Sequence, residues 1–243
     1  MQKAQDRKLK ERQERDELIL DCAQTLLQRD GIHKLTMQAV AAMTDYSKGT
    51  LYQHYRCKED LLGALVARCG NNLVGLIGKA VAYSGSIRAK IALMSAAFFY
   101  NGRMQKEVAS LVAMVKSEEF LQKVEPEQQK RLRNIDNEIF RLACIVFYQA
   151  KAPQSQRSAQ DVMDAAFGWW TMSWGLNDVM NQNWDIKRLG FADPMSFYFR
   201  SLTIFLDGLG LESDPQLTCW GDVDALAQAL FEEELLQRPI SAD

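Results

Sequence analysis

The chain has 243 residues, of which 47% are hydrophobic and 25% are charged, with a formal net charge of -2. This hydrophobic content is sufficient for a packed core, arranged as one large domain or two smaller ones. Because no long apolar run occurs and the N-terminal segment is polar, we predict no membrane span and no secretory signal, and we expect a cytoplasmic protein. The 5 cysteines lack C-x-x-C spacing, which indicates reduced, mostly buried thiols rather than a disulfide framework or a zinc site.

The N-terminal segment, residues 1–15, interleaves basic and acidic side chains. It predicts a mobile arm, which is either a solvated, frayed helical extension or a segment that follows a nucleic-acid backbone. From Asp16 onwards, apolar residues between Leu18 and Leu27 recur at helical spacing, and Gly31 ends the pattern. This pattern predicts a first amphipathic helix.

Residues 36–55 have the pattern of two short helices joined by a tight turn. The apolar residues of the first helix recur at helical spacing and stop before a polar turn at 44–46; they are Met37, Val40, Ala41 and Met43. Ser47 can cap a second helix by accepting its free N–H groups, and Leu51 then turns inward. A helix-turn-helix motif lays such a second helix in the major groove of DNA. The stretch is therefore a candidate DNA-binding motif.

The run from Leu35 to Leu62 resembles the tetracycline repressor (TetR) family of bacterial transcriptional regulators. The similarity rests on T-x-x-x-V-A from Thr36, on SKGTLYQHY over 47–55 and on KEDLL over 58–62, within an ordered match from about residue 16 to 62. Asp45 and Tyr46 stand where the family often has Gly-Val, and Asp tolerates a left-handed turn. Cys57 stands where the family usually has a capping Ser or Asn, so the start of the next helix is less well defined.

The resemblance implies a homodimer that binds a palindromic double-stranded DNA operator. By position in the motif, Lys48, Thr50 and Tyr52 are assigned to the groove face. The residues assigned to helix capping and to positioning on the DNA backbone are Ser47, Met37, His54, Tyr55 and Lys58. Residues 1–70 carry 12 Lys and Arg against 10 Asp and Glu, which supports the DNA interpretation only mildly.

Beyond residue 82 no strand alternation occurs, and apolar residues keep helical spacing over 86–101, 103–122, 126–150, 158–182, 194–209 and 222–236. We therefore predict an all-α protein. Its N-terminal three-helix domain, residues 1–68, carries the helix-turn-helix, and a larger helical bundle, residues 69–243, binds an effector and dimerises. A further helix is predicted from Leu61 towards Val81, and three glycines weaken it. In the family this helix links the two domains.

Two helices of the second domain carry apolar residues on more than one face, so each can serve its own core on one side and a symmetry mate on the other. We predict a two-fold, four-helix interface, at the place where TetR-like proteins dimerise. The residues predicted for it are Ala165, Trp169, Met172, Leu176, Phe197, Ser201, Ile204 and Gly208. The alternative is one large monomeric bundle.

Catalytic and cofactor motifs are missing from the sequence. The two histidines, His33 and His54, both fall in the DNA-binding segment, and neither a phosphate-binding glycine loop nor H-E-x-x-H occurs. We predict no enzymatic activity, no cofactor and no metal site. What remains is an apolar cavity for a small apolar effector, with plain core packing as the alternative at each position. The candidate lining residues are Phe98, Phe99, Met104, Met114, Phe140, Phe147, Tyr148, Trp170 and Trp174.

The functional hypothesis is a repressor that is relieved by a small ligand, which favours a half-site separation that mismatches the operator. One alternative is a ligand-independent regulator whose helical domain binds a protein partner. Another is a lipid-carrying or enzymatic helical domain in which the motif is incidental.

Overall fold

The computed structural model describes residues 2–150, 158–181, 188, 190–191 and 193–237. These residues form helices and no strand, which confirms the predicted all-α class. The helices are α1 (Gln2–Asp30), α2 (Met37–Thr44), α3 (Lys48–His54), α4 (Lys58–Ala82), α5 (Ile87–Met104), α6 (Lys106–Ala109), α7 (Val112–Val115), α8 (Glu118–Leu121), α9 (Pro126–Gln149), α10 (Ala159–Asn181), α11 (Pro194–Gly208), α12 (Trp220–Leu230) and α13 (Glu232–Gln237).

The chain divides into two compact units. The first comprises Met1–Cys69 with Glu107–Arg133, and the second comprises Gly70–Lys106 with Asn134–Asp243. Both α4 and α9 contribute residues to each unit, and the division into domains 1–68 and 69–243 stays a prediction.

In the first unit, α1 packs against α2, and α2 packs against α3. The buried residues at the centre of this unit include Ile19, Leu26, Val40, Leu51 and Leu61. Residues 2–15, for which a mobile arm is predicted, continue α1 as helix without interruption. Their described side chains are exposed or half-buried, as in the solvated helical extension.

The helix predicted over 103–122 is wrong. The structure ends α5 at Met104 and continues with the three short helices α6, α7 and α8. Ser117 starts α8 by accepting the backbone N–H of Phe120 at 3.4 Å. The buried side chains of Val115 and Phe120 are five residues apart, a spacing that a single α-helix does not place on one face.

The second unit is organised around α5, of whose 18 residues 13 are buried. Helices α10, α11 and α12 all pack against it. The largest fully enclosed side chains of this unit are Phe147, Trp169 and Phe231. Phe231 also divides the predicted helix 222–236 into α12 and α13, because it ends α12 and turns into the core.

Within the described residues, α4 has the length and composition of a helix that could cross a membrane, with a mean hydropathy of 1.4 over its most apolar window. That window is 61% buried inside the structure, as in the core helix of a globular protein.

Candidate functional site

The turn between α2 and α3 is defined by three side-chain or backbone features. Thr36 caps α2 by accepting the N–H of Ala39 at 3.1 Å, and Ser47 caps α3 by accepting the N–H of Thr50 at 3.1 Å. Asp45, which ends α2, has φ 56 and is left-handed, as expected from its position in the motif. The predicted serine cap and the predicted turn are therefore present.

The outer face of α3 is polar. Lys48 and Tyr52 are exposed, with 51% of Tyr52 accessible, whereas Leu51 is completely buried. The Nζ of Lys48 donates a hydrogen bond to Oε1 of Gln38 on α2 at 3.1 Å. Thr50 is half-buried, and its hydroxyl lies 2.9 Å from the hydroxyl of Ser47. The ammonium group of Lys48 and the phenol of Tyr52 therefore face the exterior, with the amide of Gln38 on α2 beside them.

The residues that were predicted to position the protein on the DNA backbone are less exposed than Lys48 and Tyr52 on the outer face of α3. Met37 and Tyr55 are 8% and 9% exposed, so their side chains belong to the core of the first unit. The Nζ of Lys58 donates to the carbonyl of Ile32 at 2.6 Å, and the ring of His54 lies against Asp16 of α1. In this structure these four side chains hold the helices in place.

Two contributors were missed by reasoning from the sequence. Gln38 is exposed beside Lys48, and its position between the buried Met37 and Val40 was the signal for an outward side chain. Asp16 contacts α3 from 38 residues away in the chain, and no local pattern indicates such a pair.

The electrostatics of the motif leave Tyr55 uncharged. Burial raises the pKa of its phenol well above the ordinary value of about 10, and the neighbouring carboxylates of Asp16 and Glu17 add to the effect. Nearby, the guanidinium of Arg68 on α4 bonds to Glu17 and Asp21 at 3.1 and 2.7 Å and to Gln24 at 2.7 Å. These bonds join α4 to α1 behind the motif.

In the second unit, the predicted effector-lining residues do not surround one described cavity. Phe98 and Phe147 are buried in the core, and four others are partly buried and packed against it: Phe99, Met104, Phe140 and Trp170. Trp174 is 41% exposed and Tyr148 is 78% exposed. Met114, 38% exposed, belongs to the first unit. Phe98 meets the ring of Trp169 edge to face, with 5.6 Å between the centroids, and Phe140 meets Trp170 in a tilted arrangement at 6.1 Å.

A buried hydrogen-bond chain joins α5, α10 and α11. Ser95 accepts bonds from Nε1 of Trp169 and from the hydroxyl of Tyr198, both at 2.9 Å, and donates to the carbonyl of Ile91 at 3.0 Å. Because Tyr198 donates its only proton to Ser95, the 2.6 Å contact with Ser173 requires that Ser173 donates to Tyr198. Burial raises the pKa of Tyr198 to about 12, although its hydrogen bonds with Ser173 and Ser95 act in the opposite direction.

Two cavities are lined by described residues of these helices. One, of about 10 Å³, is lined by residues that include Ser95, Phe98, Ser173 and Tyr198. The other, of about 120 Å³, lies between α5, α11 and the segment after α11, and Arg88 is among its lining residues. Within the described part of the chain, no three His, Cys, Asp or Glu side chains lie close enough to hold a metal ion.

The side of α10 that carries Ala165 and Trp169, which was predicted to form the dimer interface, faces the core in the structure. Ala165 and Trp169 are 3% and 0% exposed and belong to the core. The physical reason is that the indole N–H has its acceptor on Ser95, and Gly168 leaves room for the ring of Phe205, which lies 3.2 Å from the place of a Cβ. The large apolar residues of α10 that are exposed are Met163, Phe167 and Trp174.

The other predicted interface residues are distributed between the core and the surface. Met172 and Leu176 are half-buried and pack against the core, and Ser201 is half-buried. On α11, Phe197 and Ile204 are 40% and 72% exposed, and a side chain added at Gly208 would meet nothing within 4 Å. Both α10 and α11 therefore carry exposed apolar side chains.

Comparison with known proteins agrees with this architecture. Residues 19–65 match the family of bacterial regulatory proteins called the tetR family. No curated protein matches the sequence. Among solved structures, a tetR-family regulatory protein from Rhodococcus RHA1 is similar with a TM-score of 0.55 and 18% identity, over 82% of this chain and 98% of that one.

Two further structures are similar to the chain. The regulator FadR from Bacillus subtilis, in complex with stearoyl-CoA, has a TM-score of 0.57 and 16% identity, over 79% of this chain and 98% of its own. BioQ with its double-stranded DNA operator has a TM-score of 0.52 and 19% identity, over 80% and 96%. At these identities the likeness to solved structures establishes the fold, and the family match identifies residues 19–65 as a helix-turn-helix domain of the tetR family of bacterial regulatory proteins.

Proposed function

We propose that the protein is a cytoplasmic, non-enzymatic repressor that binds a palindromic operator as a homodimer and is released from it by a small apolar effector. The observation that carries the proposal is the polar outer face of α3, capped by Ser47 and backed by the buried Leu51.

The shape of α3 suits entry into a major groove. The helix has seven residues, so its length is about 10 Å, and the groove is about 12 Å wide. A side chain added at Gly49 would meet only the hydroxyl of Ser47, at 3.6 Å, so the glycine leaves this part of the helix free for the approach of a DNA backbone. Lys48 suits a guanine edge or a phosphate, and Tyr52 suits a phosphate or the methyl group of thymine.

The homodimer is supported by the apolar surface of α10 and α11. Its large exposed side chains are Met163, Phe167, Trp174, Phe197 and Ile204. Large apolar side chains grouped on neighbouring helices mark an interaction surface, and a second copy of the chain offers a self-complementary partner. Two copies would then present two α3 helices to two half-sites.

The effector is supported by the aromatic content of the second unit and, by analogy, by FadR, whose solved complex contains stearoyl-CoA. The described cavities, about 120 and 10 Å³, are smaller than the 300–1,000 Å³ of typical ligand pockets. The close packing around these two cavities, within the described part of the second unit, supports a second candidate, a regulator without a ligand whose helical domain binds a protein partner.

The test begins with selection of duplexes by the wild-type protein from a random-sequence pool. We expect a palindrome, bound with an affinity that falls steeply as salt rises, and a dimer in sedimentation.

Ile204→Arg should yield monomers that bind the palindrome at least 10-fold more weakly, because a buried unpaired charge opposes association. The control is Leu236→Arg, an exposed apolar residue on α13 outside the proposed interface. Selection of no sequence, or a monomeric wild type, would refute the proposal.

Thermal unfolding distinguishes the two candidate modes of regulation. A set of straight-chain fatty acids and their CoA esters should raise the unfolding temperature and release the palindrome if an apolar effector binds. Unchanged melting and unchanged DNA binding across the set would favour the protein-partner alternative.

A further inference from the structure

The C-terminal end of α3 is held by α1 through a pair of polar side chains. We infer that Asp16 is a positioning residue for DNA recognition: it fixes the orientation of α3 through His54 and takes no part in DNA contact itself. The inference rests on the proposed function, since it concerns the helix that is proposed to enter the groove.

The geometry of the pair is that of a charge-assisted hydrogen bond. The Nδ1 of His54 lies 2.5 Å from Oδ1 of Asp16, and the two residues are 38 positions apart in the chain. The side chain of His54 is 6% exposed and that of Asp16 is 34% exposed. The ring therefore lies inside the first unit rather than on its surface.

The direction of this bond determines what the ring has left to offer. A carboxylate only accepts, so the proton of the pair is on Nδ1. Because the side chain of His54 is only 6% exposed, the rest of the ring has little access to a phosphate oxygen. His54 thus acts inward, towards α1, in contrast to its assignment by position in the motif.

Helix α3 is short and has few buried contacts of its own, so a hydrogen bond to a neighbouring helix contributes to its orientation. The helix buries only Leu51, and its N-terminal end is defined locally by the cap of Ser47. Its C-terminal end is followed by the buried Tyr55 and joined to α1 by the Asp16–His54 bond. Because α1 is itself bonded to Arg68 of α4, it is a fixed support for the shorter helix. A base contact with hydrogen-bond geometry tolerates only a few tenths of an ångström, so loosening α3 weakens specific binding.

Because Asp16 is negatively charged, its removal has different expected effects on DNA binding if it acts by positioning α3 and if it acts only through its charge. A partly exposed carboxylate beside a DNA-binding helix opposes the approach of phosphates, so its removal should strengthen binding if charge is its only effect. Positioning predicts the reverse, namely weaker binding when the hydrogen-bond acceptor is lost. The two explanations therefore give effects of opposite sign.

The experiment measures affinity of full-length variants for the palindrome selected by the wild type, over a series of salt concentrations. Asp16→Ala is expected to bind about 10-fold more weakly, because a hydrogen bond to a charged group is lost. Asp16→Asn keeps an acceptor for Nδ1–H and is expected to stay within about 3-fold of the wild type. The control is Glu14→Ala, which removes the same charge from an exposed position on α1 and should not weaken binding.

Two further readouts identify the route of the effect. His54→Ala and the double variant Asp16→Ala/His54→Ala should bind as weakly as Asp16→Ala and no more so, because the residues act as one unit. The slope of log affinity against log salt should match that of the wild type in all of them, since no phosphate contact is removed. Helix content by circular dichroism verifies that each variant is folded.

The inference is overturned if Asp16→Ala binds as tightly as the wild type or more tightly, if Asp16→Asn is as weak as Asp16→Ala, or if the single effects add in the double variant. A wild type that selects no duplex overturns the proposed function as well. A selective wild type with an unaffected Asp16→Ala overturns the positioning role alone.

Discussion

Helices α3 and α5 keep their conformations by different means. Helix α3, which is proposed to enter the DNA groove, buries one side chain of its seven and depends on the serine cap, the left-handed Asp45 and the bond between His54 and Asp16. Helix α5 buries 13 of its 18 residues and depends on packing. The comparison teaches that side chains on α3 are free to serve recognition, because few of them are required for stability, whereas substitutions around α5 act on the fold.

The largest effect that this comparison predicts belongs to the core. Trp169→Ala removes a fully enclosed ring and leaves Ser95 without one of its donors, so we expect the free energy of unfolding to fall by about 3–5 kcal/mol. Chemical denaturation measures the loss. Trp174→Ala, on the same helix but 41% exposed, is the control and should cost much less. Equal losses would show that the two positions do not differ as burial indicates.

The next effect is the response to alkaline pH. The pKa of Tyr198 is raised to about 12 in the folded protein, against about 10 in an unfolded chain, so the unfolded state loses its proton first. The resulting stability is fully present below about pH 10 and disappears as pH rises towards 12. Tyr198→Phe should therefore lose less stability than the wild type between pH 9 and 11 in thermal unfolding experiments. Parallel losses in both proteins would contradict this origin.

A smaller effect is expected at the turn before α3. Asp45→Val places a β-branched residue at φ 56, which costs about 1–2 kcal/mol, whereas Asp45→Gly should be neutral or slightly stabilising. Hydrogen exchange of the backbone N–H groups in α2 and α3 should report the difference. If the glycine and valine variants exchange alike, the backbone of this turn is not what stabilises the motif.

The smallest effect on stability belongs to the outer face of α3. Lys48→Ala and Tyr52→Ala should each lower affinity for the selected palindrome by about 1–2 kcal/mol, because each removes a contact to DNA, and should leave the unfolding temperature unchanged. Lys48→Ala should also reduce the salt slope by about 1 if its contact is to a phosphate. Unchanged binding by both variants in a mobility shift assay would refute the assignment of this face.

Local interactions explain why much of the first unit could be predicted. Caps such as Ser47 and Thr36 act on N–H groups three residues away, and the left-handed turn at Asp45 depends on that residue alone. The all-α class followed in the same way from apolar residues at helical spacing. The three short helices at 106–121 were missed because apolar residues at helical spacing do not show where a helix breaks. Here the breaks allow Phe120 to be buried.

The sequence by itself determined the helices of the motif and their capping residues, since each depends on neighbours within one turn. Only the tertiary structure decided which face of α10 turns inward and what His54 contacts. Trp169 finds its acceptor 74 residues away, and His54 finds Asp16 38 residues away. Periodicity shows that a helix has two apolar faces, but the partner that each face meets is set by segments distant in the chain.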